Sequence, residues 1–316
     1  MAICALGQIC STASMAHNLK QCQSLMRKAS QNGAKAIFFP EASDYIASSP
    51  QESLGLAKSE ADSPFVQGLQ AAAKEHNIHV NVGIHVPIVM KPSPFDSSST
   101  EDQQAGDATN KLLNRTIWIS SDGNIDSSKS YDKLHLFDYG ALRESKHTQS
   151  GTHLTPPFDS PIGRIGSLIC FDLRFPEPAL ALAHPSPSRG WKPAQVLTYP
   201  SAFTVSTGEA HWESLLRARA IESQCWVIAA AQVGWHTGEQ GNGRVSYGRS
   251  MAIDPWGRVK VALPGVREVG SADKAEMVLE PDAMGALGLI DIDLDQWAGV
   301  RERMPLLRRS DVYSDI

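Results

Sequence analysis

Three residues with reactive side chains stand at the ends of apolar segments: Glu41, Lys133 and Cys170. Glu41 follows the apolar run 36–39 and one proline. Apolar surroundings raise the pKa of a carboxyl group, which suits it to general-base catalysis near neutral pH. An ammonium group held in a low-dielectric pocket can stabilise a developing oxyanion. A thiol, a base and a cation together suit nucleophilic attack on a carbonyl group.

Cys170 ends an apolar strand predicted over 165–171, and a helix is predicted to begin near Pro176. A turn from strand to helix exposes its side chain and leaves the N–H of Phe171 free to bind an oxyanion. A nearby lysine and a helix N-terminus would favour the thiolate. The alternative is a buried, inert thiol, the usual state of a free cysteine. We assign that inert state to the other cysteines, Cys4, Cys10, Cys22 and Cys225.

The other two groups also fit ordinary structural roles when each is considered alone. Glu41 could be a surface carboxylate after a buried strand, and Lys133 a solvated lysine on a hairpin. Glu144 lies in the irregular segment between Lys133 and Cys170. Beside the other groups, it could orient Lys133 or accept a proton.

Composition restricts the function classes. The 316 residues carry a net charge of −5, which disfavours nucleic-acid binding because phosphate contacts need concentrated positive charge. Five widely spaced cysteines without a C-x-x-C pair disfavour a disulfide framework or a zinc site. The longest apolar run, 225–231, is much shorter than a membrane span of roughly 20 residues. We therefore expect no metal and no nucleic-acid or membrane partner.

Localisation is predicted from the same features. No basic residue precedes Lys20, so a secretory signal is not expected. Reduced thiols fit a cytoplasmic protein, and a mitochondrial location stays open.

Strand-like and helix-like patterns alternate without a repeat, which predicts one α/β domain over residues 1–316. A segment rich in Pro, Ser, Asp and Gln predicts a flexible insertion at about 91–106. A C-terminal tail is predicted from about 297. Strands are predicted at 3–10, 36–39, 79–86, 112–120, 195–199, 226–232 and 287–294, and helices at 16–31, 63–76, 176–183 and 208–223.

Three segments together resemble the three motifs of the nitrilase (carbon–nitrogen hydrolase) superfamily, in the order found in that family. They are FFPE at 38–41, YDKLHL at 131–136 and ICFDLRFPE at 169–177. The resemblance implies a four-layer α-β-β-α sandwich, usually assembled as a homodimer, with no cofactor. It also implies a Cys nucleophile, a Glu base, a Lys and a supporting second Glu. These roles map onto Cys170, Glu41, Lys133 and Glu144.

Within the superfamily, segments 133–138, 142–145 and 207–212 are most similar to amidases that act on deaminated glutathione. That substrate is glutathione whose amino group has become a keto group, and its products are 2-oxoglutarate and cysteinylglycine. A keto-dicarboxylate acyl group needs cationic partners. The candidate substrate contacts are Arg174, Phe203, Thr204 and Arg249.

Arg249 departs from this branch, because histidine is expected there in many of its members. Two alternatives therefore stay open. One is another amidase of the superfamily, such as an ω-amidase, a carbamoyl-amine hydrolase or a nitrilase proper. The other is a catalytically silent binding protein that keeps the fold.

Overall fold

The computed structural model describes residues 1–90, 109–139, 142–236, 243–270, 276–309 and 312–313. The insertion predicted at about 91–106 lies outside these residues. Within the described part of the chain, no helix has the length and apolar character needed to cross a membrane.

Most of the regular structure follows the predicted alternation. The strands are β1 Ala2–Gln8, β2 Ala36–Phe38, β3 His79–Met90, β4 Thr109–Ile119, β5 Tyr131–Asp132, β6 Asp138–Tyr139, β7 Leu142–Arg143, β8 Ile165–Ser167, β9 Val196–Thr198, β10 Trp226–Ala229, β11 Val233–Trp235, β12 Val245–Tyr247, β13 Met251–Ile253, β14 Val259–Ala262, β15 Val266–Val269, β16 Glu276–Leu279 and β17 Ala286–Ile292. The helices are α1 Met15–Gln31, α2 Pro50–Leu56, α3 Pro64–His76, α4 Pro176–Ala183, α5 Val205–Ser223 and α6 Leu294–Arg303.

Two sheets form the centre of the fold. The first has the strand order β17-β1-β2-β3-β4-β5 and the second has the order β14-β13-β10-β9-β8. Strands β1, β2 and β3 run parallel to one another, as do β8, β9 and β10. The carboxyl ends of parallel strands lie at one edge of a sheet, which is where loops with functional residues are commonly placed.

The two sheets pack face to face, and helices cover their outer faces. Alternate residues of β1 show why: Cys4 and Leu6 face the second sheet, whereas Ala5 faces α1 and α3. Phe38 and Trp226 fill the layer between the sheets, and α4 and α5 cover the second sheet. This arrangement confirms the predicted α-β-β-α sandwich.

The sheets also meet at their carboxyl ends. Ile9, just after β1, forms a parallel bridge with Gln232, just after β10. The backbone N–H of Val233 donates to the Ile9 carbonyl at 3.0 Å. These contacts hold the carboxyl end of the first sheet beside that of the second. Because Glu41 follows β2 and Cys170 follows β8, the fold itself brings these two residues toward each other.

Two predicted boundaries are corrected by the structure. The strand predicted over 165–171 ends at Ser167, and Cys170–Arg174 forms a 3₁₀ helix. The tail predicted from 297 begins later, because residues 297–303 belong to α6. Asp293 caps this helix by accepting from two backbone N–H groups, and Trp297 packs against the inter-sheet core.

Candidate active site

The three reactive side chains predicted from the sequence line one cavity of about 550 Å³. Glu41 follows β2, Lys133 follows β5 directly, and Cys170 follows β8. Each therefore lies in a short segment attached to the carboxyl end of a sheet strand. Glu144, in the 3₁₀ helix after β7, lines the same cavity.

Lys133 is the centre of the polar network. Its ammonium Nζ lies 2.9 Å from Glu41 Oε1 and 2.9 Å from Glu144 Oε2. The Asn114 amide Nδ2 also bridges the two carboxylates, donating to Glu41 at 2.7 Å and to Glu144 at 3.1 Å. The backbone N–H of Phe137 donates to Glu144 at 2.7 Å. The two acids are thus held on one buried cation.

Cys170 has a backbone φ of +45°, a left-handed conformation that is unusual for a residue other than glycine. Its backbone N–H donates to the Pro200 carbonyl at 3.0 Å, and its thiol lies close enough to the Glu41 carboxylate for each to shift the pKa of the other. Phe171 belongs to the first turn of the 3₁₀ helix, where an N–H has no acceptor within the helix. A sharp turn therefore presents the sulfur and an amide donor to the same cavity.

Burial and charge set the protonation of the site. Burial alone would raise the pKa of Glu41, but the Lys133 charge and hydrogen bonds lower it to about 2. Burial would lower the pKa of Lys133, but Glu144 and Glu41 hold it well above its ordinary value. Burial raises the pKa of the Cys170 thiol, and the Glu41 charge raises it further. In the resting site the proton therefore lies on the sulfur, and Glu41 is ionised.

These directions correct two expectations. The expected upward shift of the Glu41 pKa is wrong, because the ion pair with Lys133 outweighs burial. The expected thiolate at Cys170 is also wrong, because burial and the neighbouring carboxylate outweigh the attraction of Lys133.

Asp172 ties the turn that carries Cys170 to the segment that carries Lys133. Its side chain is fully buried. One oxygen accepts from the Tyr131 hydroxyl at 2.8 Å, and the other accepts from the His135 backbone N–H at 3.0 Å. The His135 ring nitrogen Nδ1 lies 2.7 Å from the same oxygen. Because Tyr131 and His135 lie on either side of Lys133 in sequence, one carboxylate fixes the lysine relative to the sulfur.

Glu41 is held through its backbone. The Gly83 N–H donates to the Pro40 carbonyl at 3.1 Å, and the Gln232 side chain donates to the Glu41 carbonyl at 3.0 Å. A Cβ atom at Gly83 would lie 2.6 Å from the Glu41 Cα. Strand β3 thus packs directly beneath the carboxylate, and the close approach requires a glycine.

Of the four predicted substrate contacts, Arg174, Phe203 and Thr204 line the cavity. Arg249 does not, which corrects that prediction. Its guanidinium Nη2 pairs with Glu280 Oε1 at 2.9 Å, away from the cavity. Arg244, five residues earlier, lines the cavity instead.

Other cavity residues were missed by the sequence reasoning. His85 lines the cavity, and its Nδ1 lies 3.0 Å from Asp44 Oδ1. Burial would lower the pKa of His85, but the Asp44 charge and hydrogen bond raise it. His85 and Asn114 are directly paired between β3 and β4. From the alternation of side chains along β3 and β4, the sequence could have predicted that His85 and Asn114 lie on the same side as Glu41. It could not have predicted that they come within reach of Glu41.

In the described part of the chain, no group of three or more His, Cys, Asp or Glu side chains could hold a metal ion.

Comparisons with known proteins agree with this geometry. Residues 2–277 match the carbon-nitrogen hydrolase family. The probable hydrolase nit2 of Schizosaccharomyces pombe is 40% identical over 324 residues, covering 100% of both chains. The deaminated glutathione amidase of Rattus norvegicus is 37% identical, over 100% of this chain and 84% of that protein. The crystal structure of the C. elegans NitFhit protein is similar with a TM-score of 0.77 and 34% identity, over 99% of this chain and 67% of that one.

The chain therefore belongs to the carbon-nitrogen hydrolase family, within the nitrilase superfamily. It is an amidase, a hydrolase that acts on carbon–nitrogen bonds.

We expect Gly83→Ala to lower both stability and amidase activity. The added methyl group must displace the Glu41 backbone, and such overpacking costs about 1–3 kcal/mol. Denaturant unfolding and amide hydrolysis measure the two effects. Gly55→Ala is the matched control, since a Cβ there meets no atom within 4 Å. Equal behaviour of the two variants would contradict this role of Gly83.

The raised pKa of Cys170 predicts its alkylation profile. Because a thiolate reacts with iodoacetamide, the alkylation rate at Cys170 should still rise at about pH 10, above the ordinary cysteine range. Glu41→Gln removes the negative charge beside the sulfur and should move the profile to lower pH. Mass spectrometry locates the modified cysteine, and Cys170→Ala gives the background from the other thiols. A plateau below about pH 8 in the unmodified sequence would contradict the protonated resting thiol.

Proposed function

We propose that Cys170 is the nucleophile, Glu41 the general acid and base, and Lys133 with the Phe171 N–H the oxyanion site. The support is the shared cavity, the Lys133–Glu41 contact of 2.9 Å, and the proximity of the thiol to the Glu41 carboxylate, which raises the thiol pKa. Glu144 is proposed to hold Lys133 in position. The low pKa of Glu41 keeps its carboxylate ready to accept a proton at neutral pH.

The first half of the reaction forms a thioester. As the Cys170 sulfur attacks the amide carbon, Glu41 takes the thiol proton and the carbonyl π electrons move to oxygen. The oxyanion is stabilised by the Lys133 charge and by the Phe171 N–H. The tetrahedral intermediate then collapses, the carbon–nitrogen bond breaks, and Glu41 returns its proton to the leaving amine.

The second half releases the acid. Glu41 takes a proton from water while the oxygen attacks the thioester carbon. The second tetrahedral intermediate expels the sulfur, which regains a proton from Glu41, and the carboxylic acid product leaves. Coupling proton transfer to bond formation is essential here, because the resting thiol has a high pKa and Glu41 a low one.

The substrate proposed is deaminated glutathione, cleaved to 2-oxoglutarate and cysteinylglycine. One observation carries this choice: the cavity is lined by Arg143, Lys146, Arg174 and Arg244 in addition to Lys133. None of these four pairs within 4 Å with a carboxylate of the described residues, whereas the acidic lining residues are both bound to Lys133. Deaminated glutathione has a carboxylate at each end and the scissile amide between them, which matches this surplus of positive charge.

The cations also come from three different parts of the chain. Arg143 and Lys146 lie in and beside β7, in the segment that carries Glu144. Arg174 ends the 3₁₀ helix of Cys170, and Arg244 directly precedes β12. A substrate with two separated carboxylates can bind cations from more than one of these parts, whereas a simple ω-amide presents one carboxylate at most.

We expect kcat/KM for deaminated glutathione to exceed that for simple ω-amides, such as succinamate, by at least about 100-fold, because each charge-assisted hydrogen bond contributes about 1.5–3 kcal/mol. Chromatographic detection of cysteinylglycine and 2-oxoglutarate measures the reaction. An equal or higher kcat/KM for the ω-amides would reject this substrate and favour an ω-amidase.

The nucleophile is tested separately. Cys170→Ala should abolish turnover while leaving the fold intact, and Lys133→Ala should lower kcat by at least about 10²–10³, the usual cost of losing an oxyanion donor. Cys225→Ala, at a buried thiol outside the cavity, is the control that should retain turnover. Trapping a slow substrate should add the acyl mass to Cys170. Acylation of Cys225 instead would overturn the assignment.

A further inference from the structure

Arg244 is placed in the cavity by a hairpin that is fixed at several points. Strands β11 and β12 pair antiparallel, and His236 Nε2 lies 2.7 Å from the Ser246 hydroxyl. The Tyr247 N–H donates to the Phe203 carbonyl at 2.9 Å, and Thr204 bridges to Ser246. The residue before β12 is therefore positioned by the same segment that forms one wall of the cavity.

The Arg244 guanidinium reaches the neighbourhood of the nucleophile. Its Nη2 donates to the Ala202 carbonyl at 3.4 Å, and the Ala202 backbone lies close enough to the Cys170 thiol to lower its pKa. Only one residue thus separates the guanidinium from the sulfur. Its charge also contributes to the lowered pKa of Glu41, which is consistent with this proximity.

Arg244 and Arg249 differ in whether a carboxylate pairs with the guanidinium group. Arg249 is neutralised by Glu280, whereas Arg244 has no carboxylate within ion-pair distance among the described residues. A guanidinium that lines a cavity without an acidic partner can bind a carboxylate of a ligand with two parallel hydrogen bonds.

Resting on the proposed function, we propose that Arg244 is a specificity-determining residue that binds the carboxylate of the acyl part of the substrate. In the 2-oxoglutaryl group this carboxylate is four bonds from the carbon that Cys170 attacks, closer than the glycine carboxylate of the leaving group. It also stays on the enzyme in the thioester, so Arg244 would hold the acyl group while water replaces the amine.

The experiment uses two amides of equal length, glutaramate and pentanamide, which differ by a carboxylate in place of a methyl group. Binding of each is measured by calorimetry in the full chain with Cys170→Ala, and kcat/KM is measured with Cys170 intact. Adding Arg244→Gln should lower the glutaramate-to-pentanamide ratio by about 10- to 100-fold. Arg244→Lys should restore part of the ratio, since an ammonium keeps the charge but not the paired hydrogen bonds.

One control separates a local contact from a general effect of charge. Arg267→Gln removes a positive charge from an exposed position outside the cavity. It should leave the ratio within about twofold, because charges in solvent-exposed surroundings interact weakly. An Arg244→Gln ratio equal to that of the parent chain, or to that of Arg267→Gln, overturns the proposal.

The result is independent of the natural substrate, because neither amide contains cysteinylglycine. Failure to cleave deaminated glutathione would reject the proposed function, yet the ratio would still report whether Arg244 binds an acyl carboxylate. Cleavage of deaminated glutathione with an unchanged ratio would reject the role of Arg244 alone.

Discussion

The buried ammonium of Lys133 between two carboxylates is the interaction on which the rest of the site depends. Without Glu41 and Glu144, burial would drive the lysine toward its neutral form, and without Lys133 the same burial would protonate Glu41. Removing any one member leaves an uncompensated charge, which is strongly destabilising in a dry site. Asn114 spans both acids and stabilises the same arrangement. The two carboxylates therefore keep Lys133 charged, and Lys133 keeps Glu41 ionised.

The sandwich supplies the rigidity that this network needs. Residues from both sheets contribute, and the bridge between Ile9 and Gln232 fixes the relative position of their carboxyl edges. Asp172 then couples the turn after β8 to the segment after β5 through hydrogen bonds to its fully buried carboxylate. Contacts of this kind hold the functional groups in fixed positions relative to one another.

Much of the fold and of the candidate site was predictable from the sequence. Glu41 and Cys170 each stand at the end of an apolar run, and the alternation of strand and helix patterns indicates the layers. The directions of the pKa shifts were not predictable, since they depend on the ion pair between Glu41 and Lys133, which are 92 positions apart in the sequence. Arg249 was misplaced because its ion-pair partner, Glu280, lies 31 positions further along the chain, where no local sequence pattern indicates the pairing. Homodimer formation and cytoplasmic location stay predictions.

The left-handed backbone at Cys170 places the proposed nucleophile and conformational strain at the same position. Glycine would adopt this geometry without a steric penalty, so cysteine is not the residue that the fold alone would favour there. Selection for thermal tolerance and selection for turnover therefore act in opposite directions at one codon. A lineage that lost the need for catalysis would be expected to lose this cysteine early while keeping the surrounding sandwich.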